Sequence, residues 1–151
     1  MKTKFGVVGV AVALLVIMGG YFLLNPSYEK SLKAKYYYQM GDYEYALTLA
    51  KEAFNLNLYN RMAATIMAQS KASLKFVSYN EDAKKYMQEI NTIASQEFIT
   101  DGDKAKIRTM ATIIVSSYKK LAPSTVIADD LKDEAMQHNN DFEALLEKVD
   151  K

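Results

Sequence analysis

Between Lys4 and Glu29 the chain carries no charged side chain, and Phe5 to Leu24 reads FGVVGVAVALLVIMGGYFLL, an unbroken run of 20 apolar or small residues. As a helix this run is roughly 30 Å long, the thickness of a bilayer's hydrocarbon core. A helix satisfies its own backbone groups, and this one would be apolar on every side, so lipid suits it better than water. Residues 5–24 are therefore expected to form a transmembrane signal anchor behind a basic head, residues 1–4, that holds Lys2 and Lys4. A cleaved signal peptide begins in the same way. Its apolar core is usually shorter, however, and here bulky Ile17 and Met18 precede the Gly19-Gly20 pair that a peptidase would use.

The basic head favours a cytoplasmic N-terminus, although Lys30, Lys33 and Lys35 follow the other end of the span. The expected address is the bacterial inner membrane, single-pass, with the remaining chain in the periplasm. Gly6, Gly9, Ala13 and Gly20 fall on one face of the span. Small residues there let two membrane helices approach closely, so a homo-oligomer through this face is a candidate. Tyr21, Phe22 and Tyr28 suit the lipid–water boundary.

Residues 25–151 leave room for one domain. Two prolines, six glycines and weak strand patterning favour an all-α fold. The formal net charge of +1 gives no bulk case for nucleic acid. It is unevenly spread, with +3 over residues 25–75 and −5 over residues 122–151, as suits a chain beside anionic headgroups or simply solvated helix faces. With no cysteine, disulfides, thiol nucleophiles, Cys-ligated zinc and a lipoprotein anchor are all excluded.

Asn25-Pro26-Ser27 marks the start of a helix, with Asn25 as its cap and Pro26 in its first turn. That helix is expected to reach Met40. Gly41-Asp42 turns the chain, and a second helix runs from Tyr43 to about Asn55 with Ala46, Leu49, Ala50, Ala53 and Phe54 at helical spacing. The small residues Ala34, Ala46 and Ala53, with Tyr37, Tyr43 and the Gly41-Asp42 turn, resemble the tetratricopeptide (TPR) family over residues 26–60. Two residues depart from that pattern: Ala50 stands where a large aromatic is usual, and Leu58 where proline is usual.

Ala68 follows Ala34 by 34 residues, the TPR period, which suggests a divergent second repeat over residues 61–99. Its first helix carries Met62, Ala63, Ile66, Met67, Ser70 and Leu74. A break at residues 76–80, with Asn80 as a cap, leads to a helix carrying Ala83, Tyr86, Met87, Ile90, Ile93 and Phe98. Capping helices are expected over residues 103–151: Asp103–Leu121, a sixth helix ending near Gln137, and a seventh after Asn139-Asn140. The resemblance thus implies a hairpin stack of about six or seven helices behind the span.

It also implies a groove lined by the first helix of each repeat. Carried over, the lining is Ser31, Lys35, Tyr38 and Gln39, then Thr65, Gln69 and Ser73. Of Tyr36-Tyr37-Tyr38, two should pack and one should project. Either Tyr37 is core and Tyr36 or Tyr38 seals the neighbouring helix, or the projecting ring is an interface anchor, with Tyr38 the expected anchor of a polar groove. His138, the only histidine, is expected at the surface near a helix end with Glu134 four residues before it. Asp129-Asp130 and Asp133-Glu134 read as a wet helix face, and no phosphate-binding or nucleophile motif is present. No catalysis, cofactor or metal is expected.

The combined expectation is a non-catalytic adaptor or scaffold that holds a protein partner within an envelope assembly of the secretion, division or flagellar-motor type. The alternatives are a membrane-tethered periplasmic holdase and a small regulator of an enzymatic partner.

Overall fold

The computed structural model describes the backbone of residues 2–122 and 126–149, and the side chains of these residues except 2–6, 22 and 23. Gly6 and Phe22 therefore lie outside the described side chains, and Pro123 and Ser124 outside the described backbone. Among the described residues there are six helices and no strand: α1 (Lys2–Leu24), α2 (Pro26–Gln39), α3 (Tyr43–Leu56), α4 (Arg61–Ala94), α5 (Asp101–Tyr118) and α6 (Asp129–Val149). The fold is all-α. Among the described residues no single helix is long and apolar enough to cross a membrane; residues 7–21 and Pro26–Gln39 together meet that requirement, as a pair bent by 75°.

The chain divides into two compact units, Met1–Lys71 and Ala72–Lys151, and α4 runs through the division. In the first unit the helix boundaries follow local chemistry. The Asn25 side chain accepts the Ser27 N–H at 3.0 Å and caps α2, whose first residue is Pro26. Gly41 takes φ +83°, which a side chain would disfavour, and closes the α2–α3 turn. The Asp42 carboxylate then accepts the Tyr45 N–H at 3.0 Å and caps α3. Ala34, Ala46, Leu49, Ala50 and Ile66 form the core, with Tyr37, Tyr38 and Met67 packed on it. Ala53 and Ala63 are also fully buried. Alanines at this density let helix backbones approach closely, but each buries little apolar area.

Buried polar contacts supply what the alanines lack. Asn60 is completely buried. Its Nδ2 donates to the Ser27 carbonyl (3.2 Å), to Ser27 Oγ (2.8 Å) and to Ser31 Oγ (3.2 Å). Its Oδ1 accepts the Ala63 N–H at 3.1 Å, so the same side chain caps α4. Ser27 Oγ donates in turn to the Ala53 carbonyl at 2.8 Å. The start of α2, the end of α3 and the start of α4 are thus tied at one point.

The second unit packs residues 72–94 of α4 with α5 and α6. Its core holds Phe76, Tyr79, Ala83, Ile90, Ile93, Ile107, Met110, Ala111, Ile114, Ile127, Ala135 and Phe142. A capping box starts α5: Thr100 Oγ1 accepts the Asp103 N–H at 3.1 Å, and Asp103 Oδ2 accepts the Thr100 N–H at 3.0 Å.

Two expected breaks are absent. Residues 76–80 continue α4, because Ser73, Phe76, Tyr79, Asn80 and Ala83 share one buried face and the stretch contains neither glycine nor proline. Asn80 caps nothing; its Nδ2 donates across the unit to the Leu131 carbonyl (3.3 Å) and to Glu134 Oε2 (3.0 Å). Likewise Asn139-Asn140 lies inside α6, with Asn139 buried. Among the described residues five helices follow residue 25, not six or seven, and a short helical hairpin occurs once, at α2–α3. Ala68 is exposed whereas Ala34 is fully buried, so the 34-residue spacing does not mark equivalent core positions.

Asn60→Ala removes a cap and leaves the Ser27 and Ser31 hydroxyls without their buried donor. We expect a loss of about 3 kcal/mol of stability, read from denaturant unfolding followed by circular dichroism. Asn60→Ser keeps a capping oxygen and should recover about 1 kcal/mol of that loss.

Candidate functional site

Lys35, Tyr38 and Gln39 recur at helical spacing on α2, and Arg61, Met62, Thr65, Ile66 and Gln69 do so on α4. The Asn60 contacts bring these two faces alongside one another. Between them lies a groove of about 440 Å³ lined by these eight residues. Ile66 at the bottom is buried, Tyr38 is half-buried, and Met62 is exposed. Besides Lys35, Arg61 and the Tyr38 hydroxyl, the polar groups in the lining are two amides, Gln39 and Gln69, and the Thr65 hydroxyl.

The groove is basic and has no carboxylate in its lining. Lys30 and Lys33, on the same helix, are both paired: Lys30 Nζ lies 2.6 Å from Glu52, and Lys33 Nζ 2.7 Å from Glu29. The hydrogen bond from Lys33 holds the Glu29 carboxyl below its ordinary range, and the same bond raises Lys33. Lys35 and Arg61 make no ion pair among the described residues. Two free cations over an apolar floor can hold an apolar side chain and a carboxylate together.

Five of the seven groove residues expected from sequence converge here: Lys35, Tyr38, Gln39, Thr65 and Gln69. The other two do not line it. Ser31 is fully buried and donates to the Tyr28 carbonyl at 3.0 Å while accepting from Asn60. Ser73 is fully buried on α4, in the second unit. Arg61, Met62 and Ile66 were missed, though they share a helical face with Thr65 and Gln69. In the tyrosine run, Tyr37 packs edge-on against Tyr45 at 4.5 Å and Tyr38 against Tyr43 at 5.2 Å. Tyr36 is the one that projects.

On α1, Gly9, Ala13 and Gly20 meet no other part of the chain closely: a Cβ built at Gly9 or Gly20 has nothing within 4 Å, and Ala13 is exposed.

A second cluster of titratable groups lies within the second unit. Lys84 Nζ lies 2.6 Å from Glu134 Oε1, Asn80 donates to the same carboxylate, and His138 Nε2 stands 3.8 Å away. His138 is mid-helix rather than near a helix end, and half-buried, 17% exposed. Nearby in the same unit, burial and the Tyr118 hydroxyl push Tyr79 up to about 12, so it stays neutral. Among the described residues no group of three or more His, Cys, Asp or Glu is arranged to hold a metal ion.

The Glu134 carboxyl is held below its ordinary range, chiefly by the hydrogen bond from Lys84, with burial opposing. A lowered carboxyl stabilises the fold above the unfolded carboxylate range and loses that effect as pH falls through the folded value. Glu29, Asp103 and Asp129 are lowered as well and act in the same window. The Glu134 share is isolated by comparison with Glu134→Gln. The variant should unfold earlier than the parent at neutral pH, and the two unfolding midpoints should converge once the pH has fallen through the lowered Glu134 value of the folded protein.

Comparison with protein-family models, with curated proteins and with solved structures gives no match to this chain.

Proposed function

We propose that the protein is a non-catalytic, membrane-anchored adaptor whose α2–α3 hairpin is TPR-like and whose groove holds a protein partner within a bacterial envelope assembly. The observation that carries this reading is the groove itself, with Lys35 and Arg61 unpaired above Tyr38, Met62 and Ile66. The chemistry that fits is an amphipathic segment with an acidic side chain next to an apolar one. The apolar group enters against Tyr38 and Ile66, the carboxylate meets the cations, and the glutamines take backbone groups.

The anchor in this reading is α1, in the inner membrane with its N-terminus in the cytoplasm and the rest of the chain in the periplasm. Support comes from its bare surface. Val7, Val8, Val10, Val12 and the consecutive Leu14, Leu15, Val16, Ile17 and Met18 are each more than half exposed. Five consecutive residues exceed one helical turn, so over residues 14–18 no face of this helix is covered by the chain.

The groove is tested by recovering partners of the tagged full chain from gently solubilised membranes. Tyr38→Ala should lower recovery of a stoichiometric partner about tenfold. Lys35→Glu, at an exposed position, should do the same with an unchanged unfolding midpoint. Undiminished recovery with Lys35→Glu, or a Tyr38→Ala loss that tracks loss of stability, would refute the groove as the binding site.

The open small-residue face of α1 supports a second contact, between two copies of the helix. Gly9→Leu should then reduce self-association in a membrane two-hybrid assay severalfold, as expected when a side chain blocks close helix approach. An unchanged signal would mean that Gly9, Ala13 and Gly20 face lipid.

A further inference from the structure

The turn between α3 and α4 presents Leu56, Leu58 and Tyr59 to the outside, exposed by 57%, 66% and 92%. Ala53 to Asn60 contains no charged residue. The turn is locally ordered: Asn57 Oδ1 accepts the Tyr59 N–H at 3.0 Å, and the Asn57 carbonyl accepts the Asn60 N–H at 3.0 Å. Its position is fixed by the contacts already described. Asn60 and the Ala53 carbonyl both bond Ser27, and Ser27 stands three residues beyond Leu24, the last residue of α1. The exposed apolar turn therefore sits at the end of the first unit where the bare apolar helix leaves it.

We propose that Leu56, Leu58 and Tyr59 form an interfacial membrane contact, dipping into the headgroup–acyl boundary beside the exit of α1. This rests on the reading of α1 as the anchor. The occupant is lipid because the patch is tied to Ser27, three residues beyond an apolar helix that the chain leaves uncovered on every face over residues 14–18. Its composition also fits: two leucines reach the acyl region, and a tyrosine ring suits the boundary with its hydroxyl toward water. The other end of the hairpin differs in charge: Met40 and Tyr45 are exposed there too, but beside the exposed, charged Asp42 and Glu44. The turn would thus act as a second foot that limits rotation of the first unit about its anchor and holds the groove at a set orientation to the bilayer.

The chain has no cysteine, so single-cysteine variants take one dye each. The full chain is reconstituted as Leu58→Cys, Leu15→Cys and Glu44→Cys, each carrying an environment-sensitive fluorophore. The vesicles are phosphatidylcholine with phosphatidylglycerol, with and without bromine on the acyl chains. The expected result is a blue-shifted emission at Leu58 that bromine largely abolishes, the same loss at Leu15, and none at Glu44. Quenching at Leu15 but not at Leu58 overturns the membrane contact and leaves the anchor standing. Quenching at Leu58 without Leu15 supports the contact and refutes the anchor. Quenching at neither position defeats both. Shielding of Leu58 from aqueous iodide without bromine quenching overturns the lipid contact in favour of a protein cover.

Discussion

The first unit depends on the amide of Asn60. Its core is built largely from alanines, and alanine interfaces permit close approach without specifying register. A helix that slides by one turn over an alanine face loses little apolar burial. It would, however, strand the Asn60 amide and the Ser27 and Ser31 hydroxyls in a dry interior, where each unsatisfied group is costly. The polar cluster therefore selects one arrangement from several that the apolar core would accept. Because Asn60 also caps α4, the register of the packing and the start of the helix are set by the same atoms.

That dependence explains which parts were legible from sequence. The α2–α3 hairpin was readable to within a residue at each boundary, because its signals are local: Asn25-Pro26 at the start, Gly41-Asp42 at the turn, and alanines at helical spacing. The two long helices were not. Asn80 and Asn139 look like caps or breakers in isolation, since asparagine side chains compete for backbone groups. Each is placed on a buried helix face, and Asn80 finds its partners on α6, at Leu131 and Glu134, a pairing that no local window contains. Asn60 was read as the end of a hairpin because its partners lie 29 and 33 residues earlier.

The groove was partly legible for the same reason. Lys35, Tyr38, Gln39, Thr65 and Gln69 follow from helical spacing once two faces are set side by side. Ser31 and Ser73 share that spacing but turn inward, because a serine hydroxyl is small enough to be buried against a backbone or a buried amide. Spacing alone does not separate a wall from a floor one turn away. Charge pairing was also invisible in the sequence. Lys30, Lys33 and Lys35 look equivalent there, yet 100° per residue sends the first two toward Glu52 and Glu29 and leaves the third over the groove.

The exposure of Leu56, Leu58 and Tyr59 follows from this geometry, whereas their apolar character does not. Burial of Asn60 within four residues of the end of α3 forces a tight turn, and the space beneath it is filled by Ser27, Ala53 and the Asn60 amide itself. Side chains on the turn consequently have nowhere to go but outward. Polar residues at 56, 58 and 59 would meet every local requirement of such a turn, since its side-chain hydrogen bonds come from Asn57 and Asn60. Three large apolar groups at that place add little to the packing of the first unit, being 57%, 66% and 92% exposed, and are unfavourable in water. They become favourable when the surrounding medium at that end of the unit is the one in which α1 is most at ease.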